Sequence, residues 1–267
     1  MGRIEEALAR TRREQRLALV TFLTAGYPEP AATPGLVRAL VEGGADLIEL
    51  GVPFSDPLAD GTTIQRADFR ALEAGITPAA CLDLARNLRN EGLEIPLVLM
   101  GYYNPLLAYG PEDFVAEAAR SGIDGLIVVD LPPEEGEDLR GWCRAHGLHL
   151  IPLLAPTSDD RRVALVAKRA SGFVYCVSVA GITGAREALP ADLSGFLRRV
   201  RRHTRLPLAV GFGISRREHF EALEGVAEAA VVGSAIIDVI ERSPPTEREE
   251  RVKEYVEVLT GRRGARV

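Results

Sequence analysis

The chain has 267 residues, 46% of them hydrophobic and 26% charged, an ordinary balance for a globular protein. Its net charge of −6 argues against a general nucleic-acid-binding role, and no apolar run approaches the ~18 residues that a membrane span needs. Three scattered cysteines (Cys81, Cys143, Cys176) form no CxxC pair, and the first residues carry no apolar signal segment. The expectation is a cytoplasmic protein with neither a disulfide framework nor a thiolate metal site.

Short apolar runs alternate with amphipathic, charged segments along the whole chain. Strands are expected at 18–23, 46–50, 96–100, 125–129, 149–153, 173–177, 207–211 and 229–232. Helical patterns fall at 31–43, 62–73, 78–91, 111–121, 134–146, 159–169, 190–203 and 215–224, with further helices at 2–14 and 246–260. Thr77-Pro78, Gly110-Pro111 and Ser158 read as helix-start signals. The strand runs are continuous and apolar, as in a parallel sheet covered on both faces. Eight strands with intervening helices predict a (β/α)8 TIM barrel, one domain over 1–267, with extra N-terminal and C-terminal helices.

The segment from Asp46 to Gly61 carries the strongest chemical signal. Period-two alternation puts Glu49 on one strand face with Leu47, while Ile48 and Leu50 point the other way. Two prolines and a glycine then force an irregular loop that carries a second carboxylate, Asp60. One carboxylate on rigid scaffold and one on a loop suit acid–base chemistry on an enclosed substrate. Each also has a plainer reading: Glu49 as a partner for a backbone N–H, Asp60 as the N-cap of the next helix. Asp130, before Leu131-Pro132-Pro133, reads as a turn residue. Tyr175, inward with Phe173 and Val177, reads as core with a hydroxyl that needs a partner.

In such barrels the active site lies at the C-terminal ends of the strands, and loops after strands seven and eight commonly hold phosphate. Here the loops near 178–184, 211–215 and 233–235 supply Gly184, Gly213, Gly233 and Ser234, where backbone N–H groups can approach an anion. A helix starting at Ser234 adds its positive end. A Schiff-base mechanism needs a lysine at a strand end, but the only lysines are Lys168 and Lys253, both on helices. The four histidines (His146, His149, His203, His219) sit on helices or where a strand begins, not in a ligand cluster. The expectation is a phosphorylated substrate handled by carboxylates alone, with no metal.

The run Glu49-Leu50-Gly51-Val52-Pro53-Phe54-Ser55-Asp56-Pro57-Leu58-Ala59-Asp60-Gly61 resembles the signature of the tryptophan synthase alpha subunit family. Gly181-Ile182-Thr183-Gly184, Gly211-Phe212-Gly213-Ile214-Ser215 and Gly233-Ser234-Ala235 resemble its other loops, in the same order. The resemblance implies a lyase of tryptophan biosynthesis that cleaves indole-3-glycerol phosphate to indole and glyceraldehyde 3-phosphate. It implies Glu49 as acid–base and Asp60 as partner of the indole N–H. It implies Thr183 as the residue that closes the site against the Asp60 loop, and Tyr175 as an orienting group. Phe22, Met100, Tyr102, Ile127, Val129, Leu153 and Phe212 become candidate pocket walls, and Gly184, Gly213, Gly233 and Ser234 the phosphate cradle.

The same resemblance implies an allosteric beta subunit in an αββα assembly, docking at Pro53, Asp56, Asn104, Pro105 and Pro132, which it places on loops at the active-site end. Pyridoxal phosphate is then expected only in that partner, with no cofactor in this chain. The pattern departs at Thr62, where a proline usually follows Asp-Gly, and at Val179, where an arginine occurs. Two alternatives stay open. One is a phosphate-binding regulatory barrel without turnover. The other is a barrel isomerase, against which Ala25-Gly26 and Ala155-Pro156 stand where paired aspartates belong.

Overall fold

The computed structural model describes residues 2–177, 192–211 and 213–263. The chain opens with α1 (Arg3–Arg13), β1 (Ala18–Thr24), a 3-10 turn and α2 (Thr33–Gly43). From β2 (Leu47–Gly51) a loop leads to α3 (Thr62–Glu73) and α4 (Pro78–Asn90). There follow β3 (Leu97–Gly101), α5 (Tyr103–Tyr109), α6 (Pro111–Arg120), β4 (Gly125–Val128) and α7 (Glu137–Ala145). The central part holds β5 (His149–Leu150), β6 (Leu153–Leu154), α8 (Asp160–Arg169), β7 (Val174–Val177) and α9 (Leu193–Arg201). The last part holds β8 (Leu208–Gly211), α10 (Arg217–Glu221), β9 (Ala229–Val232), α11 (Ser234–Arg242) and α12 (Arg248–Thr260).

Every strand pair is parallel, in the order β5-β4-β3-β2-β1-β9-β8-β7-β6. The two ends of this sheet are halves of one run, so the single strand expected at 149–153 is corrected to β5 and β6. Pro152 has no N–H to give the ladder, which interrupts the strand there. Two bonds carry the pairing across the break: Ile151 N–H donates to the Leu126 carbonyl at 2.8 Å, and Tyr175 N–H donates to the Pro152 carbonyl at 3.0 Å. β5 therefore holds β4 while β6 holds β7, and the sheet closes into a barrel.

The barrel interior is filled by inward residues of the strands and their flanks, among them Val20, Phe22, Leu47, Val98, Met100, Ile127, Ile151, Phe173, Tyr175 and Val231. Ile4 and Leu8 of α1 join this cluster near the strand starts, and Ile64 of α3 joins it near the strand ends. The opposite strand faces pack with the helices in a second, larger core. α12 packs on α2 and α11, tying the end of the chain to its beginning.

Two further expectations need correction. Asn104 and Pro105 lie within α5, not on a loop. A proline in the first turn costs no hydrogen bond, because the first amides of a helix have no intrahelical acceptor. The N-cap of α8 is Asp159, whose side chain accepts the Arg162 N–H, while Ser158 Oγ accepts the Ala155 N–H. Thr77 does cap α4 as expected, accepting the Ala80 N–H.

Candidate active site

Register brings the candidate groups together. Phe22 of β1 lies opposite Glu49 of β2, and Glu49 lies opposite Val98 of β3, two residues before Met100. On the far side of the barrel, Tyr175 of β7 lies opposite Ala209. Two glycines make room for the rings: a Cβ on Gly51 would come 2.6 Å from Phe22 Cζ, and one on Gly211 would come 2.2 Å from Tyr175 Oη.

A narrow cavity opens at the strand ends. Its walls include Phe22, Glu49, Asp60, Met100, Tyr175, Gly213, Gly233 and Ser234, all singled out from the sequence. Ile64, Ile214 and Val231 also line it and were not anticipated. Ile64 was legible in principle, since it opens the apolar stripe Ile64, Ala67, Ala71 of α3. Ile127 sits in the interior cluster but does not line the cavity, and Val129 and Leu153 pack against that cluster. Thr183, Gly184, Phe212 and Val179 fall outside the described residues.

Glu49 is fully buried, and neither carboxyl oxygen has a hydrogen-bond partner among the described residues. Burial among apolar walls pushes its pKa up to about 8, so the group is largely protonated at neutral pH. The reading of Glu49 as a partner for a backbone N–H finds no such bond. Tyr175 lies near enough to feel the Glu49 charge; its own burial, then that charge, hold its hydroxyl protonated.

Asp60 is buried too, but it is partnered. The Tyr102 hydroxyl donates to Asp60 Oδ2 at 2.6 Å. The same hydroxyl accepts the Ala59 N–H at 3.0 Å, and Gln65 donates its side-chain amide to the Asp60 carbonyl at 2.8 Å. Desolvation raises the Asp60 pKa, and the Tyr102 bond opposes that rise. The N-cap reading of Asp60 is corrected: α3 is preceded by Gly61, with no side-chain cap. Tyr102 is displaced from its expected part as well. It does not line the cavity; it stands behind Asp60, its ring 5.1 Å from that of Phe54.

A third carboxylate was not anticipated. Asp68 of α3 is buried and accepts from the Thr24 hydroxyl at 3.1 Å. Burial first, then the charge of Asp60, push its pKa up to about 7.

Beside α3, which follows Asp60, Gly233 and Ser234 start α11, whose first amides lie outside the intrahelical ladder and can meet an anion. A Cβ on Gly233 would press to 3.2 Å from Phe22 Cβ, so glycine keeps the backbone close to the cavity. Buried carboxyls, apolar walls and a helix N-terminus around one cavity fit a ligand with a flat apolar part and an anionic end. Among the described residues no group of three His, Cys, Asp or Glu could hold a metal.

The residues once expected on a docking surface lie around this rim. Asp56 and Asn104 are exposed, Pro105 and Pro132 are half-buried, and Pro53 is buried. Leu58 (89% exposed) and Leu107 (55%) stand beside them as uncovered apolar side chains.

A family profile described as "Tryptophan synthase alpha chain" matches residues 8–264. The tryptophan synthase alpha chain of Roseiflexus castenholzii is 51% identical over 261 residues, covering 98% of this chain and all of that protein. The alpha subunit structure from Legionella pneumophila superposes with a TM-score of 0.89 at 34% identity, covering 98% of both chains. A chain of the tryptophan synthase a2b2 complex from Pyrococcus furiosus gives 0.86 at 42% identity, covering 91% of this chain and 98% of that one.

Proposed function

This chain belongs to the tryptophan synthase alpha chain family, the lyase that cleaves indole-3-glycerol phosphate, and we propose that Glu49 and Asp60 carry that reaction here. The family match supports the alpha-subunit role rather than a regulatory barrel without turnover. The observation that carries the assignment of residues is the unpaired, buried carboxyl of Glu49, facing the same cavity as the Tyr102-bound carboxylate of Asp60.

Cleavage of the bond between the indole ring and the glycerol chain needs somewhere for two electrons to go. Protonation of ring carbon C3 by Glu49 creates that sink, an indoleninium. The Glu49 carboxylate then takes the proton of the adjacent chain hydroxyl. As the carbonyl forms, the carbon–carbon bond breaks and its electron pair restores the indole ring. Glu49 ends protonated, as it began, and the products are indole and glyceraldehyde 3-phosphate. A pKa near 8 suits both halves of this cycle. Asp60 accepts the ring N–H and stabilises the positive charge that grows on it. Tyr175 orients Glu49 or the substrate, and Phe22 and Met100 pack on the ring. Gly213, Gly233 and Ser234 hold the phosphate with backbone amides. We extend the same role to Gly184, and closure over the site to Thr183.

We further read 1–267 as one barrel domain acting in the cytoplasm with a beta subunit in an αββα assembly. Asp56, Asn104, Pro105 and Pro132, with Leu58 and Leu107, form the rim it would cover, and Pro53 would support that rim from beneath. Pyridoxal phosphate belongs to that partner, and the steps above use side chains of this chain alone. Among the described residues no helix is long and apolar enough to cross a membrane.

The test is indole release from indole-3-glycerol phosphate, by the chain alone and with a cognate beta subunit. Slow release alone and faster release with the partner are expected. Glu49→Gln should release no indole while still binding substrate; full turnover by that variant would remove Glu49 from the mechanism.

A further inference from the structure

The helical layer of the barrel has a gap over the broken strand. α7 packs on α6 and α8 packs on α9, but α7 and α8 barely meet. Between them runs a groove floored by Leu150, with Pro152 at its upper end; its upper cavity measures about 210 Å³ and its lower about 670 Å³. The two cavities share Arg140, Leu150 and Arg169.

The charges in this groove are unbalanced. Arg169 Nη1 donates to the Pro133 carbonyl at 2.5 Å, and Arg140 Nη2 donates to the same oxygen at 3.3 Å. Two cations thus converge on one neutral acceptor. Among the described residues the only carboxylate on Arg140 is Glu137, whose side chain is 68% exposed, against 17% for Arg140. Arg162 is satisfied by both oxygens of Glu134, and Asp130 accepts the Tyr103 N–H. No salt bridge links Arg169, or Arg144 and Lys168 at the lower mouth, to a carboxylate of the described residues, and Arg169 feels the Glu134 charge only at longer range, behind Arg162. Like charges held this close in a recess repel unless an anion sits between them. Forked guanidinium groups match a phosphate better than a lone ammonium does.

We propose that the groove between α7 and α8 is a binding site for a phosphate group, gripped by Arg140 and Arg169, with Arg144 and Lys168 at its lower mouth. The apolar floor at Leu150 and Pro152 offers room for the body of a small phosphate monoester. The site is separate from the cavity at the strand ends, which shares no lining residue with it.

Equilibrium dialysis of the full chain against radiolabelled inorganic phosphate tests this. Two saturable equivalents per chain are expected, one in each site. Arg169→Gln keeps a donor for the Pro133 carbonyl but removes the charge, and should weaken one equivalent about tenfold or more, the scale of a charge-assisted bond. The double variant Arg144→Ala/Lys168→Ala, confined to exposed side chains, should weaken the same equivalent with lyase activity unchanged. Ser234→Asp should remove only the other. If phosphate binding is abolished by Ser234→Asp and untouched by Arg169→Gln, or is absent altogether, the groove site is overturned. If Ser234→Asp changes nothing while Arg169→Gln removes an equivalent, the groove stands and the phosphate cradle at Ser234 fails. Glycerol 3-phosphate binding more tightly than inorganic phosphate would assign a monoester, and equal binding the free ion; either supports the site.

Discussion

The hydroxyl of Tyr102 and the carboxylate of Asp60 form one unit, joined at 2.6 Å. Because the same hydroxyl accepts the Ala59 N–H, a residue just past β3 fixes the loop that follows β2. The bond also supplies what a desolvated carboxylate lacks, a donor that favours its charged form. Replacing Tyr102 by phenylalanine keeps the ring against Phe54 and removes only that donor. A hydrogen bond to a charged group is worth about 1.5–3 kcal/mol, so kcat/KM should fall about ten- to a hundredfold. The Asp60 pKa should climb further, and the acidic limb of the kcat/KM profile should move to higher pH. A limb that stays in place would mean that Asp60 does not rely on Tyr102 for its charge.

Asp60 in turn acts on a second carboxyl, Asp68. Its charge and that of Asp60 oppose each other, and burial lifts Asp68 to about 7. Asp68→Asn removes the titrating carboxyl, while the amide oxygen can still accept from Thr24. Asp60 is charged before Asp68 loses its proton, so the acidic limb of kcat/KM should stay in place, unlike the effect of Tyr102→Phe. The stability effect has a definite sign. The folded carboxyl holds its proton to about 7 and the unfolded one only to about 4, so wild-type stability falls as pH rises between them. The variant lacks that loss, and its Tm should gain on wild type from pH 4 to pH 8. A limb that moved to lower pH would show that Asp68 is already charged when Asp60 ionises.

Asp68 is legible in the sequence. The buried face of α3 is Ile64, Ala67, Asp68 and Ala71, so Asp68 sits on the apolar stripe while its neighbour Phe69 is 64% exposed. A carboxylate on the wrong face of an amphipathic helix is a signal that helix periodicity alone exposes. Most of the barrel was legible for the opposite reason. Strands buried on both faces are continuous apolar runs, and the observed β9 has the bounds expected from sequence. The split of the fifth strand turned on Pro152, whose missing N–H matters only once its neighbours are known. α5 was missed because Asn104-Pro105 reads as a turn, and only the backbone shows that the proline falls in a first turn. Glu49 followed from strand alternation. The Tyr102–Asp60 bond joins residues 42 positions apart, beyond the reach of any local pattern.

Glu49 offers the sharpest test, because replacing it should stabilise the fold at one pH and weaken it at another. Its pKa is about 8 in the folded chain against 4.5 for an ordinary glutamate. Between those values the folded state holds a proton that the unfolded state has lost. Stability therefore falls as pH rises through this window and levels off above about 8. At about 1.4 kcal/mol per pH unit the loss is a few kcal/mol, with about 5 kcal/mol as its ceiling. Glu49→Gln cannot ionise, so it escapes this loss at every pH. Its amide buries one more donor than the protonated carboxyl, which costs about 1–3 kcal/mol throughout. The two effects oppose: the variant should melt below wild type at pH 4.5 and above it at pH 9, with the curves crossing between about pH 5 and 6.5. Thermal melts across that range decide the matter. Parallel curves would mean that Glu49 is not held protonated by burial, and the acid–base cycle assigned to it would lose its physical basis.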